Sequence, residues 1–203
     1  LITPQSAVLL LLEGLLFTQN FMGCLPTIRD LKIDEYNLFA HGKFDSQSLF
    51  QGEINLSISI DNGATEEDAI KCIEHYNGLL CNLQICNQIQ KGLEKFFLYM
   101  YHEWIDFGDI YDNIAKSLEP VMDGYKSGKQ LIKYLYNPTL CVFPQLKNEI
   151  GYGLECECPW EPEHQCLILI RNDKVVYVGP SEGNDPWGDE DDYYCIWNDE
   201  DEE

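Results

Sequence analysis

The hydrophobic period of this chain changes twice, and those changes restrict its fold more than any other feature. Residues 52–61, GEINLSISID, alternate: Ile54, Leu56, Ile58 and Ile60 fall on one face, and Glu53, Asn55, Ser57 and Ser59 on the other. A period of two with one apolar face specifies a half-buried antiparallel strand. From Thr65 the period lengthens. Thr65 is a good N-cap, and Glu66, Glu67 and Asp68 suit the positive end of a helix. Gly78 marks its stop. Leu83, Cys86, Ile89, Leu93, Phe96, Phe97 and Met100 then form the apolar stripe of a second helix, about 82–103. A third helix is expected over 109–119, ended by Pro120. A short fourth, capped by Ser127, covers GKQLIKYL (128–135).

Beyond Pro138 the period returns to two. TLCVF (139–143), IGYGLECEC (150–158), QCLILIR (165–171) and KVVYVG (174–179) read as strands, and RNDK is a tight hairpin turn between the last two. LKIDEYNLFAHGKF (31–44) reads as one further strand, with His41 in a turn before Gly42. Strands, then helices, then strands give an α+β fold: an antiparallel sheet with a central helical section packed on one face. We expect a single domain over 1–203, with an N-terminal helical segment at 1–22 and an acidic-aromatic C-terminal segment at 181–203. The apolar run LITPQSAVLLLLEGLLF lacks a basic flank and is interrupted by Glu13-Gly14. It therefore reads as a short buried helix, not a signal peptide or a membrane span.

Charge narrows the partners. The 35 Asp and Glu residues against 13 Lys and Arg give a formal charge of −22. Such a surface repels nucleic acid and anionic membranes and attracts basic proteins. The acidic residues concentrate after Glu182, where no Lys or Arg occurs, yet Trp187, Tyr193, Tyr194, Ile196 and Trp197 are interleaved with them. A merely solvating tail carries few aromatics, so these are expected to pack on the domain. Asp189, Glu190, Asp191 and Asp192 form the densest run. They lack the spacing of an EF-hand calcium loop. The nine cysteines are an odd number and lie mostly in helix-like or strand-like text. They read as small buried apolar residues in a reducing cytoplasm.

One stretch invites a chemical reading. CECPWEPEHQC (156–166) holds three cysteines, Trp160, Glu163 and His164. Cys156 and Cys158 share a strand face, Cys166 lies across the hairpin, and His164 completes a donor set that zinc accepts. The spacing matches no usual zinc motif. Glu163 with His164, or His164 with Cys166, offers acid–base or nucleophilic chemistry, but no nucleophile elbow or phosphate loop accompanies them. The structural alternative is a hairpin tip tied to its own backbone under a packed Trp160. We favour that alternative and expect no metal and no cofactor.

The same region resembles a family of uncharacterised bacterial domains marked by a W-D-x-E-H-G hairpin. KQLIKYLYNPTLCVFP followed by GYGLECECPWEPEHQCLILIRNDKVVYVG has its element order; Trp160, Glu163 and His164 match the core motif, and Gly153 and Gly179 the flanking glycines. The helix pair from Thr65 to Trp104 is also similar, so the resemblance spans about 50–180. Pro162 before the Glu-His pair and Gln165 in place of glycine depart from the pattern. The resemblance implies no enzyme activity and a role as a predicted toxin-immunity protein. The expectation is thus a non-enzymatic, cytoplasmic, bacterial protein that neutralises a basic toxin or another basic partner through its acidic surface. Trp160, Glu163, His164, Trp187, Asp189 to Asp192, Tyr193, Tyr194 and Trp197 are the candidate binding residues. Two alternatives stand beside it: a metal-dependent or cysteine enzyme using the 156–166 hairpin, and an interaction module of unknown function.

Overall fold

A computed structural model describes residues 26–106 and 112–197. The helix expected at 1–22 lies outside them. Seven strands form one sheet in sequence order: β1 (Arg29–Ile33), β2 (Phe39–Gln47), β3 (Gln51–Ser59), β4 (Tyr136–Val142), β5 (Gly151–Cys158), β6 (Glu161–Arg171) and β7 (Lys174–Gly179). Three helices stand between β3 and β4: α1 (Glu66–Gly78), α2 (Leu83–Asp106) and α3 (Asp112–Lys126). The α+β class and the order of elements are as expected. All neighbouring strands pair antiparallel except β3 and β4, which run parallel. Parallel neighbours need a long crossover, and the helices supply it.

Local chemistry explains most boundaries. Thr65 and Asp68 form a reciprocal capping box at the start of α1. Residues 31–44 are not one strand but the β1–β2 hairpin. Asp34 Oδ1 accepts the Leu38 N–H at 2.8 Å, and Asn37 turns the chain at φ +56°, a conformation Asn tolerates well. His41 is accordingly in β2 and not in a turn. Pro120 does not end α3 but sits inside it. An interior proline costs a helix ~3 kcal/mol. Leu118, Val121 and Met122 are buried around it, and burying such side chains contributes roughly 1.5–3 kcal/mol each, so packing wins. The expected fourth helix is a single 3₁₀ turn, Leu131–Tyr134.

One core lies between the helices and one face of the sheet. It collects Phe44, Leu56, Ile58, Leu154 and Ile168 from the strands with Ile73, Ile89, Leu93, Phe96 and Phe97 from the helices. α2 packs closely on edge strand β7. A Cβ on Gly92 would stand 2.5 Å from Val178 Cγ2, and Gln88 Oε1 accepts the Val175 N–H of the edge at 2.9 Å. Among the described residues, no helix is long and apolar enough to cross a membrane.

The second face of the sheet is divided. The chain after β7 folds back across its β5–β7 half. Trp187 lies on Gly151, where a Cβ would come within 2.7 Å of the indole. Tyr193 meets Tyr177, and Arg171 donates to the Gly188 carbonyl at 3.4 Å. Among the described residues, the half formed by β1–β5 is an open cleft of about 810 Å³, and Ser181, Gly183 and Asn184 of the returning segment form one wall.

Candidate functional site

The hairpin that drew attention in the sequence is closed. Trp160 stands at its tip with no exposed surface, wedged edge-on against Phe96 and Phe97 of α2. Its carbonyl accepts the indole N–H of Trp104, at the end of α2, at 2.8 Å. Its own indole N–H meets no acceptor among the described residues, so packing holds the ring. The neighbouring carboxylate is Glu161, only 8% exposed. Its Oε1 accepts the backbone N–H groups of Glu163 and His164, both at 3.1 Å, and contacts His164 Nδ1 at 3.2 Å. This carboxylate organises the bend, and the sequence reading passed over it in favour of Glu163. Three N–H groups converging on one position, two of them backbone, are the mark of a loop brace. The brace sets up a residue with φ +63°, Gln165. The resemblance places glycine there, and glycine alone adopts that conformation without steric cost.

The thiols do not share a site with His164. Cys156 and Cys166 face each other across β5 and β6, and both are fully buried. The Cys166 thiol is pushed well above its ordinary range, first by hydrogen bonding with Cys158 and then by burial. Burial does the same to Cys156. A nucleophile or a metal ligand needs the thiolate, and these sulfurs are held as thiols. Half of the His164 side chain is open to solvent (52%). Among the described residues no group of three or more His, Cys, Asp and Glu side chains is placed to hold a metal ion. Among the described cysteines only Cys81 is exposed; the others are buried or partly buried, as small apolar residues are.

The acidic-aromatic segment is built differently. From Tyr193 to Trp197 it alternates: Tyr193, Cys195 and Trp197 are buried, while Tyr194 (63% exposed) and Ile196 (53%) point outward. Trp197 stacks on Phe96 at 5.0 Å and also meets Tyr99. Tyr193 donates its hydroxyl to the Asp185 carbonyl at 2.8 Å. Immediately before this run, Asp189 and Asp192 cap one another around a 3₁₀ turn, Glu190–Tyr193. Asp189, Glu190, Asp191 and Asp192 are all exposed there. The expected packing of the aromatics is present for Tyr193 and Trp197 and, half-buried, for Trp187. Of the candidate binding residues, Trp160, Tyr193 and Trp197 are therefore fastened into the fold. The four acids and Tyr194 are exposed on the surface.

A family model for the Domain of unknown function (DUF6985) matches residues 28–186. The chain belongs to this family. The DUF6985 match takes in all seven strands and three helices and stops at Pro186. Trp187, the acidic turn and the Tyr193–Trp197 anchor lie just past it. No curated protein and no solved structure matches the chain significantly.

A half-buried histidine escaped the sequence reading. His75 lies in the last turn of α1. Its Nδ1 lies 2.9 Å from the hydroxyl of Tyr152, a fully buried side chain of β5. Burial pushes the imidazole below its ordinary value, against the opposing pull of Asp173. Only the register of α1 on β5 creates this pair, so no local pattern announces it.

Proposed function

We propose that this DUF6985 protein is a non-enzymatic, immunity-like binding protein of the bacterial cytoplasm. It neutralises a basic toxin domain, or another basic protein, through its acidic surface. The observation that carries this reading is the mounting of the acidic turn. Asp189, Glu190, Asp191 and Asp192 are exposed beside Tyr194 and Ile196, on a segment anchored from beneath by Tyr193, Cys195 and Trp197. Carboxylates steer a basic partner and set its orientation. Exposed aromatic and aliphatic side chains supply the contact area that affinity needs. Anchoring lowers the entropy lost on binding. The formal charge of −22 extends the attraction beyond the contact itself.

The hairpin is not the working site in this reading. Trp160 is internal, and Glu161 employs His164 and two backbone N–H groups as a brace. The test is capture of partners from host lysate on the full chain at low and at high salt, with identification by mass spectrometry. A single basic protein retained at low salt and released at high salt is expected. Equal capture of that protein by a chain carrying Asp189→Asn, Glu190→Gln and Asp191→Asn would overturn the assignment of this surface.

A further inference from the structure

The open half of the sheet carries a second set of polar groups that the acidic turn does not explain. Strand register arranges them in two rows. One runs Lys43, Asn55, Thr139, Glu155 across β2 to β5; the other runs Lys32, His41, Ser57, Cys141 across β1 to β4. All eight line the cleft. The middle of the floor is neutral. The side chains of Asn55, Ser57 and Thr139 have no hydrogen-bond partner among the described residues, so each presents unused donors and acceptors. The ends carry opposite charge. At the β5 end, Glu155 is half-buried; Ser181 donates to its Oε2 at 2.8 Å, and among the described residues no cation is paired with it. At the β1–β2 end stand Lys32 and His41, neither ion-paired among the described residues, and Lys43, which is bonded to Glu53 at 2.8 Å. Asp30 lies at that end too. An unpaired, half-buried carboxylate at the base of a cleft is a receptor for a cation.

Spacing sets the length of the ligand. Neighbouring strands lie ~4.8 Å apart and residues rise ~3.3 Å along a strand, so His41 and Glu155, three strands apart and two residues out of row, have backbones about 16 Å apart. An extended tripeptide of roughly 10 Å, with a hydrogen bond of ~2.8 Å at each end, spans that gap. A saccharide would use the neutral floor and leave both charged ends idle.

We propose that the cleft on the β1–β5 half of the sheet binds a short zwitterionic peptide. Its ammonium group sits at Glu155, its carboxylate at Lys32 and His41, and its amides on Asn55, Ser57 and Thr139. The proposal stands independently of the basic-partner reading.

The experiment is an amide-resolved NMR titration of the full chain with trialanine, N-acetyl-trialanine, trialanine amide and cellotriose. Trialanine is expected to shift the Asn55, Ser57 and Thr139 amides saturably, and each capped peptide to bind about tenfold more weakly, the loss of one charge-assisted bond. Glu155→Gln should weaken trialanine similarly and leave the acetylated peptide unchanged. Lys32→Gln with His41→Gln should do so for the free peptide and not for the amide. The proposal is overturned by equal binding of capped and free peptides, by the absence of saturable shifts at millimolar trialanine, or by cellotriose shifting the same amides. The spectra themselves show whether each variant is folded.

Discussion

Replacing Glu161 tests whether the hairpin tip is a brace. Its Oε1 accepts two backbone N–H groups at 3.1 Å and the His164 ring at 3.2 Å, from a side chain almost wholly removed from solvent. Glu161→Leu keeps the volume and removes the acceptor. A buried donor left without a partner costs about 1–3 kcal/mol. The two backbone donors here are part-buried and water reaches them, so the lower bound applies to each and the loss is about 2 kcal/mol. Glu161→Gln keeps a carbonyl oxygen in place and exchanges charged hydrogen bonds for neutral ones, a loss of about 1 kcal/mol. His164→Ala removes only a half-exposed ring and costs about 0.5 kcal/mol. Urea denaturation followed by fluorescence measures all three as shifts of the midpoint at constant slope. The reasoning predicts the order Glu161→Leu, Glu161→Gln, His164→Ala. If His164→Ala were as damaging as Glu161→Leu, the ring and not the backbone would be what the carboxylate holds, and the brace would be refuted.

Three further outcomes follow from the same contacts. Gln165→Gly should raise stability by about 0.5–1 kcal/mol, because the relief of a left-handed residue exceeds the added chain entropy; calorimetry would show a higher Tm. Trp197→Ala should cost about 3 kcal/mol, typical of a buried indole, and should make the acidic turn accessible to protease while the sheet stays intact. His75 gives a pH dependence. Its folded-state value lies below the ordinary 6.5, so the unfolded chain binds the proton first. Its contribution is therefore complete above about pH 6.5 and is lost as pH falls toward the lower folded value. His75→Gln should flatten stability across that window in urea titrations, and an unchanged slope would exclude His75 as its source.

Much of the fold was legible because it is written locally. The alternation of Ile54, Leu56 and Ile58, the Thr65–Asp68 cap and the stripe from Leu83 to Met100 each specify one element and its buried face. What failed were matters of partnership. Nothing in 52–61 or 139–143 says that these strands lie side by side and parallel. Pro120 reads as a helix end until Val121 and Met122 are seen to be buried beyond it. The 31–44 segment looked continuous because its turn is marked in the sequence only by Asp34 and Asn37, the one bonding the Leu38 N–H and the other turning the backbone. At the hairpin, the motif drew attention to Glu163 and His164. The group that organises them is Glu161, whose burial only the packed Trp160 reveals. The cleft was invisible for a similar reason: its polar rows are drawn from five strands by register, and each contributes one or two ordinary residues.

The central claim is that the anchored acidic turn steers a basic partner. Stopped-flow association of the captured partner with the intact chain and with the Asp189→Asn, Glu190→Gln, Asp191→Asn chain, at low and physiological ionic strength, tests it most directly. The account predicts an association rate about tenfold lower for the neutralised chain at low salt, a difference that shrinks as salt rises, and a dissociation rate little changed. Identical association rates for the two chains at low salt would contradict it.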